Sequence, residues 1–333
     1  MDLDWSASDL AFRDEVRTFL QENLTPEIQQ AGRLMTSVYS DHDASLEWQR
    51  VLHERGWAAP AWPVEYGGCD WSLTQHYIFS RESTLAGAPS LSPMGIRMVA
   101  HAIVRFGTDE QKNFFLPRIL TGEVFFCQGY SEPEAGSDLA ALSMAAVSDG
   151  DDLVCTGSKI WTTHATEANW MFALVRTTRS AKKQQGITFV LIDMNTPGIQ
   201  IRPLVMTSGE EVQNQVFFDE VRVPKSNVIG QIDDGWTVAK YLLEFERGGS
   251  FAPALRARAI RDGRASMRCG SCRALVAAKT ETLSPPISRA RAAHSGTVAN
   301  TLRAADACPA TSSRTRAARR RSELRIMSGL LRT

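Results

Sequence analysis

Apolar residues recur three and four positions apart through the first third of the chain, which is the period of an amphipathic helix. The first such run follows a Ser-x-x-Asp capping pattern that begins at Ser6, and its apolar members are Phe12, Val16, Phe19 and Leu20. Four more helices are predicted, each followed closely by a glycine, over residues 42–55, 74–86, 94–106 and 108–120. The pattern therefore predicts an N-terminal helical domain over residues 1–122.

The period of the apolar positions changes to two after Val124, where short β-prone runs alternate with turn residues. The dipeptide Asp149-Gly150 is typical of a hairpin turn between two of these runs. The runs are Ala145–Ser148, Leu153–Thr156, Trp170–Val175, Ile187–Ile192 and Val216–Val223. They predict a central β domain over residues 123–230, built as two small sheets or as a barrel-like sheet.

Helical periodicity returns at Trp236 and continues to Phe245, with Asp233 or Asp234 as the capping residue. We interpret residues 231–258 as the first helix of a C-terminal helical domain. The predicted fold class is therefore α+β, with a helical domain, a central β domain and the start of a second helical domain.

The formal net charge of zero conceals two segments of opposite charge. Residues 256–333 carry sixteen Arg and one Lys against four acidic residues, and they contain no Phe, Trp or Tyr. Because a segment without aromatic anchors departs from the composition of a normal core, residues 259–333 are predicted to be an atypical, disordered tail. The change near Arg256 is typical of a GC-rich reading frame translated out of register. Such a basic tail is also compatible with nonspecific binding of nucleic acid through its phosphates.

Six cysteines are scattered along a chain that begins without a signal peptide, which predicts free thiols and a cytoplasmic protein. Cys269 and Cys272 form a lone C-x-x-C. A structural zinc site needs two more ligands at suitable spacing, and His294 and Cys308 do not supply them, so no metal site is predicted. No apolar run approaches the roughly 18 residues of a membrane span.

Two segments of the predicted β domain combine small residues, hydroxyls, a proline and a tryptophan. Gln128–Asp138 reads QGYSEPEAGSD, and Ser158–Ala165 reads SKIWTTHA. This mixture suits a polar planar ligand, because hydroxyls and main-chain amides bind the edge of a ring while an aromatic side chain packs on its face. Taken separately, the first segment is equally compatible with a plain turn, and Trp161 with a core residue.

In their order and spacing these motifs resemble the acyl-CoA dehydrogenase family. The resemblance covers about residues 1–255 and extends through Gly186–Asp193, Val212–Pro224, Gly235-Trp236 and Glu246-Arg247. It implies FAD as the cofactor and an enzyme that forms an α,β double bond in an acyl-CoA thioester. In that reaction a carboxylate removes the α proton, and the β hydrogen passes as hydride to flavin N5.

The resemblance also implies a role for the residues of the first segment. Main-chain amides of Gln128, Tyr130 and Ser131, together with the Ser131 hydroxyl, would bind the polar edge of the isoalloxazine ring. Gly136 would permit a close approach of backbone to ligand, and Ser137 would contact the flavin pyrophosphate or the substrate.

The second segment and the first C-terminal helix would supply the rest of the site. By the same resemblance, Trp161 packs on the flavin and Thr163 donates its hydroxyl toward N5. Glu246 aligns with the position that some family members use for the catalytic base, and Arg247 follows as the residue near the substrate. From the residues alone, Glu246 and Arg247 are also compatible with a solvated helix face.

The implied partners are an acyl-CoA substrate, an electron-transfer flavoprotein as acceptor and further subunits, in a homo- or hetero-oligomer if the C-terminal domain is intact. Neither a membrane nor a specific nucleic acid is expected. The later signatures of the family's C-terminal domain are not recognisable after Arg258. The alternative is therefore a truncated, catalytically silent family member that binds acyl-CoA or pairs with an intact subunit.

Overall fold

The structure, a computed structural model, describes residues 5–33, 41–207 and 209–247 of the chain. The predictions for the tail and for Cys269 and Cys272 lie outside these residues. Within the described ranges, Cys69, Cys127 and Cys155 are free thiols, and no cluster of His, Cys, Asp or Glu is arranged to hold a metal ion. None of the helices in this part of the chain has the length and apolar character needed to cross a bilayer.

The part of the chain before residue 124 is helical, as predicted. Its helices are α1 (Ala7–Asn23), α2 (Pro26–Arg33), α3 (His42–Arg55), α4 (Leu73–Ala86), a π-helix (Met94–Val99), α5 (Ala100–Phe106) and α6 (Asp109–Thr121). Capping boxes at Ser6 and Thr108 open α1 and α6, and the box at Ser6 confirms the capping pattern predicted there. Helix α2 was not predicted, because an eight-residue helix with two buried positions carries little periodicity.

The prediction of one regular helix over residues 94–106 is wrong in its first half. Residues Met94–Val99 form a π-helix, and the α-helical pattern begins only at Ala100. All residues of the π-helix except Arg97 are buried, so the π-helix has almost no polar face. Single π-turns of this kind occur often at functional sites.

Seven strands make up the sheet that the described residues form. They are β1 (Phe126–Gly129), β2 (Ala145–Asp149), β3 (Asp152–Lys159), β4 (Trp170–Arg176), β5 (Ile187–Asp193), β6 (Ile199–Leu204) and β7 (Gln213–Pro224). The order across the sheet is β1-β4-β2-β3-β7-β6, and β5 also pairs with β4. Of the two predicted arrangements, two small sheets or one barrel-like sheet, the structure has a single sheet. Strands β1 and β6 were not predicted, since β1 has four residues and β6 contains Pro203.

One edge of β4 is shared by two strands in succession. Strand β5 occupies the other edge along its whole length, from Trp170 to Arg176. On the shared edge, β1 pairs in parallel as far as Gly129 opposite Ala173, and β2 rejoins only through Ala145 opposite Arg176. Residues 130–144, which include most of the first sequence segment, fill the gap between these two contacts.

The described core has two parts, one on each face of β4 and β5. Phe172, Leu174 and Phe189 face the helical domain, whereas Met171, Ala173 and Val190 face the remaining strands. Because both faces are covered, successive residues of these two strands are buried rather than alternating between buried and exposed.

Helix α7 (Gly235–Arg247) lies against β5 and begins where the sequence predicted. Asp234 is the residue before the helix, and its carboxylate accepts the Thr237 hydroxyl at 2.7 Å. Asp233 instead accepts hydroxyls from Thr177 at 2.6 Å and Thr178 at 3.1 Å, just after β4. The start of α7 is thus tied to the sheet.

Gly235 sits at the closest approach of α7 to β5. A Cβ atom there would overlap the main chain of Thr188 and Phe189. We expect Gly235→Ala to lower the free energy of unfolding by about 1–3 kcal/mol, because the backbone itself must move. Chemical denaturation measures this, with the exposed Lys240→Ala on the same helix as a control. Equal midpoints for the two variants would contradict the close packing.

Candidate functional site

The two sequence segments meet beside the gap in the β4 edge. The first runs from β1 into the 130–144 connection, and the second follows the end of β3. They are joined directly, since the Ile160 amide donates to the Ser131 carbonyl at 2.9 Å. The structure therefore brings together two motifs that are about twenty residues apart in the sequence.

Lys159 fills the gap between β1 and β2 with a buried ammonium group. Its side chain has no exposed surface, and Nζ donates to the Leu174 carbonyl at 2.7 Å, the Tyr130 carbonyl at 3.3 Å and Glu132 Oε1 at 2.8 Å. Leu174 lies on the stretch of β4 edge that neither β1 nor β2 covers. The lysine thus supplies a donor where the strand ladder supplies none.

Glu132 is the partner that makes this burial tolerable. Oε1 also accepts the Met144 amide at 3.0 Å, and Oε2 accepts the Ser143 amide at 2.7 Å and hydroxyl at 3.0 Å. Burial disfavours its charged form, but Lys159 and the two amides outweigh burial and hold the pKa of Glu132 below its usual range. Its contribution to stability is therefore present above the ordinary glutamate pKa, and is lost as pH falls through the lowered value.

The loop after Lys159 holds an aromatic side chain in an unusual position. Trp161 is 58% exposed, and its backbone lies in the left-handed region at φ 59°, as does that of His164 at φ 57°. Each such residue costs on the order of 1 kcal/mol or more and persists only where its surroundings fix it. Here the Thr162 amide donates to Asn214 and the His164 amide to Val212, at 2.9 and 2.8 Å.

Thr163 lies in the same loop, nearly buried, against Gln213 at the start of β7. Gln213 Nε2 donates to the Thr163 hydroxyl at 3.0 Å, and the Thr163 hydroxyl donates to Gln213 Oε1 at 3.2 Å. The Gln213 amide therefore fixes the position of this hydroxyl. Sequence reasoning missed Gln213, although it lies within the Val212–Pro224 motif.

The other site residues predicted in the first segment range from half-buried to exposed. Gln128 and Ser131 are half-buried, while Gly136 and Ser137 are exposed. An added Cβ at Gly136 would meet no atom of the described chain within 4 Å, and its φ is not in the left-handed region. Neither packing nor backbone conformation within the described residues therefore requires a glycine at this position.

Tyr130 differs from its neighbours because its side chain points into the core rather than toward the turn. It is 6% exposed, and its ring lies edge-on to Phe172 and Phe189, with centroids 5.8 and 6.4 Å away. The predicted role of Tyr130 toward a flavin concerns its main chain, and its side chain belongs to the surface that faces α7.

Glu246 and Arg247 occupy the last turn of α7. Glu246 is exposed, while the side chain of Arg247 lies outside the described residues. The preceding Phe245 stacks on His101, with centroids 3.9 Å apart and an interplanar angle of 7°. Burial, and then Arg97, lowers the pKa of His101 to about 4, so this imidazole is uncharged at neutral pH.

These residues fit FAD. An exposed indole, the open space at Gly136 and the hydroxyls of Ser131, Ser137 and Thr163 are the groups that would hold it. FAD supplies a hydride acceptor when bound.

Comparisons with known proteins agree with this description. Residues 6–123 match the family model for the acyl-CoA dehydrogenase N-terminal domain, and residues 127–221 match the model for its middle domain. Acyl-CoA dehydrogenase IpdE1 of Mycobacterium tuberculosis is 38% identical over 243 residues, covering 72% of this chain and 63% of the relative. The IpdE1 of Mycolicibacterium smegmatis is 37% identical over 253 residues, covering 72% and 64%.

Two solved structures extend the likeness to three dimensions. The structure called Tcur3481-Tcur3483 steroid ACAD has a TM-score of 0.70 and 33% identity, over 83% of this chain and 70% of that one. The ChsE4-ChsE5 complex from Mycobacterium tuberculosis has a TM-score of 0.64 and 35% identity, over 74% and 62%. The chain belongs to the acyl-CoA dehydrogenase family, a family of flavin-dependent oxidoreductases. It spans 63–64% of the length of the two IpdE1 relatives.

Removing one member of the buried Lys159–Glu132 ion pair should leave the other as an unpaired buried charge. We expect Lys159→Met to lower the free energy of unfolding by about 3–5 kcal/mol, and Lys159→Met with Glu132→Gln to lower it by less than the sum of the single variants. Denaturant titration of the double-mutant cycle measures the coupling. The exposed pair Lys183–Asp138, 2.6 Å apart, is the matched control and should couple by at most about 1 kcal/mol. Equal coupling for both pairs would contradict the role of burial.

The Gly136→Ala variant tests whether this glycine contacts a ligand, because its effect on FAD affinity can be measured apart from its effect on stability. Since the added methyl meets no described atom, the unfolding midpoint should not fall. If the main chain at Gly136 lies close to bound FAD, the added methyl should decrease the affinity for FAD about tenfold or more, or ~1.4 kcal/mol. Fluorescence titration with FAD measures this, and the exposed Glu134→Ala in the same turn is the control. Unchanged affinity in Gly136→Ala would exclude close contact.

Proposed function

We propose that this chain is an FAD-dependent acyl-CoA dehydrogenase that introduces an α,β double bond into an acyl-CoA thioester. The observation that carries the proposal is Trp161, an exposed indole fixed in a left-handed conformation. The exposure of the indole stabilises no packing among the described residues. A planar ring system lying on the indole would be stabilised by that contact. The membership of the family supports the same cofactor.

In this proposal the residues divide between two walls. Gln128, Tyr130 and Ser131 bind the isoalloxazine edge through main-chain amides and the Ser131 hydroxyl, and Thr163 donates toward N5. The Gln213 amide orients that threonine, because it both donates to and accepts from the Thr163 hydroxyl.

The opposite wall is the end of α7. Glu246 is the proposed base for the α proton of the thioester, and Arg247 the residue nearest the substrate. Ser137, exposed in the turn on the flavin side, contacts the flavin pyrophosphate or the substrate.

The acyl group is proposed to be a fatty or carboxy-acyl chain, or a bulkier ring system. The name of the similar Tcur3481-Tcur3483 structure describes it as a steroid ACAD, that is, a steroid acyl-CoA dehydrogenase. Polycyclic acyl-CoA esters should therefore be tested beside straight-chain ones. An electron-transfer flavoprotein in the cytoplasm is the proposed acceptor.

A second candidate is a catalytically silent member that binds acyl-CoA or pairs with an intact subunit. One observation favours pairing with another subunit: the solved structures that the chain resembles include one titled as a complex, ChsE4-ChsE5.

The purified full chain distinguishes these candidates by its absorbance. An enzyme should show a flavin spectrum that bleaches anaerobically on addition of acyl-CoA. Glu246→Gln should retain that spectrum and lose at least about 100-fold in the rate of bleaching, because the base is removed while the shape is kept. Glu244→Gln, an exposed carboxylate two residues earlier on α7, should bleach at the original rate.

The same measurement has contrary outcomes. A colourless protein that takes up no added FAD would rule out the enzyme and leave the silent member. Bleaching at an unchanged rate in Glu246→Gln would move the base to another residue.

A further inference from the structure

Thr163 and Gln213 form a side-chain pair in which one hydroxyl meets both ends of one amide. Gln213 Nε2 donates to the Thr163 hydroxyl at 3.0 Å, and that hydroxyl donates to Gln213 Oε1 at 3.2 Å. A hydroxyl has one hydrogen to donate and lone pairs with which to accept, whereas a primary amide offers a donor and an acceptor side by side. The amide can therefore satisfy this hydroxyl whichever way its hydrogen points.

Main-chain hydrogen bonds on both sides hold this Thr163–Gln213 pair in place. The Thr162 amide donates to the Asn214 carbonyl at 2.9 Å, and the His164 amide donates to the Val212 carbonyl at 2.8 Å. A side-chain bond adds to them, since Asn214 Nδ2 donates to the Thr162 carbonyl at 3.0 Å. The backbones that carry the hydroxyl and the amide are thus fixed opposite each other.

The Thr163 hydroxyl needs an acceptor because it is enclosed. Thr163 is 5% exposed, and within the described part of the chain its hydroxyl bonds to Gln213 alone. The neighbouring Asn214 amide is already committed to the Thr162 and Val212 carbonyls. A buried donor without an acceptor is more costly than an acceptor with one unused lone pair. Gln213 Oε1 is the group that prevents this cost.

We propose that Gln213 lets the Thr163 hydroxyl match both oxidation states of a flavin. The inference rests on the proposed function, in which Thr163 lies beside flavin N5. While N5 is an acceptor, in oxidised flavin, the hydroxyl donates to it and accepts from Gln213 Nε2. Once N5 carries a hydrogen, the hydroxyl accepts from N5 and donates to Gln213 Oε1.

This change is a rotation of the hydroxyl and not a proton transfer. The Thr163 hydroxyl keeps its own hydrogen in both states, and the hydride that reaches N5 still comes from the β carbon of the thioester. Gln213 is a positioning residue, since it acts through Thr163.

The amide should stabilise the reduced state more than the oxidised one. Without Gln213, the hydroxyl beside oxidised flavin lacks only a donor to one of its lone pairs. Beside reduced flavin, the hydrogen of the same hydroxyl is buried without its acceptor, which is the costlier defect. Loss of the amide is therefore expected to lower the midpoint potential of the bound flavin.

Gln213→Met tests this expectation in the purified full chain with FAD. Methionine keeps the length of the side chain but has no donor and only a weak acceptor. The affinity for reduced FAD relative to oxidised FAD should fall about tenfold, which lowers the two-electron midpoint potential by ~30 mV. Spectroelectrochemical titration measures the potential. Gln200→Met, at an exposed glutamine on β6, is the control and should leave it unchanged.

Thr163→Val shows whether the effect passes through the hydroxyl. In that background Gln213→Met should leave the potential unchanged, because no hydroxyl remains for the amide to satisfy. A merely structural role of Gln213 would lower the potential equally in both backgrounds. That result would overturn the inference, as would an unchanged potential in Gln213→Met alone.

The pair is also testable without flavin. In the flavin-free chain, Thr163→Val and Gln213→Met together should lower the free energy of unfolding by less than the sum of the single variants, because both remove the same contact. Strictly additive effects would overturn the pairing. A wild-type chain that takes up no FAD defeats the proposed function and the flavin role of Gln213 together. A wild-type chain that binds FAD, with a potential that Gln213→Met does not move, defeats this inference alone.

Discussion

The candidate site depends on a buried lysine that completes an interrupted strand edge. Strands β1 and β2 share one edge of β4, and Leu174 lies between them with no ladder partner on that edge. Lys159 satisfies that carbonyl and also holds the Tyr130 carbonyl and Glu132. An isolated ammonium in such a place would lose its charge, so Glu132 is required, and Glu132 in turn fixes the returning chain at Ser143 and Met144.

This arrangement explains how two separate motifs act as one surface. The chain on both sides of the gap between β1 and β2 is hydrogen-bonded to the Lys159–Glu132 pair. The Ile160 amide joins the second segment to the first at Ser131. With both ends fixed, the loop beyond Lys159 can hold Trp161 and His164 in left-handed conformations that would otherwise relax. The buried Lys159–Glu132 pair thus helps to fix the loop in which the side chain of Trp161 is exposed.

The other wall has a separate physical origin. Helix α7 is held by its start, where Asp233 is bound after β4 and Gly235 touches the backbone of β5. Its far end carries Glu246, whose side chain is exposed. The first segment contributes to both regions, since the Tyr130 carbonyl belongs to the ion-pair network and the Tyr130 side chain lies in one buried cluster with Val238 and Leu242 of α7.

Local patterns in the sequence determined most helices of the first domain, the Asp149-Gly150 hairpin and most of the strands, because capping, periodicity and turn chemistry involve neighbouring residues. The motifs likewise identified the family, which the comparisons confirm. Short elements such as α2 and β1 carry too few periodic positions to be predicted. Only the tertiary structure decided that Lys159 pairs with Glu132, that Gln213 meets Thr163, and that Tyr130 turns its ring toward α7. Each of these contacts joins residues that are distant in the chain, and their partners are set by the order of strands across the sheet.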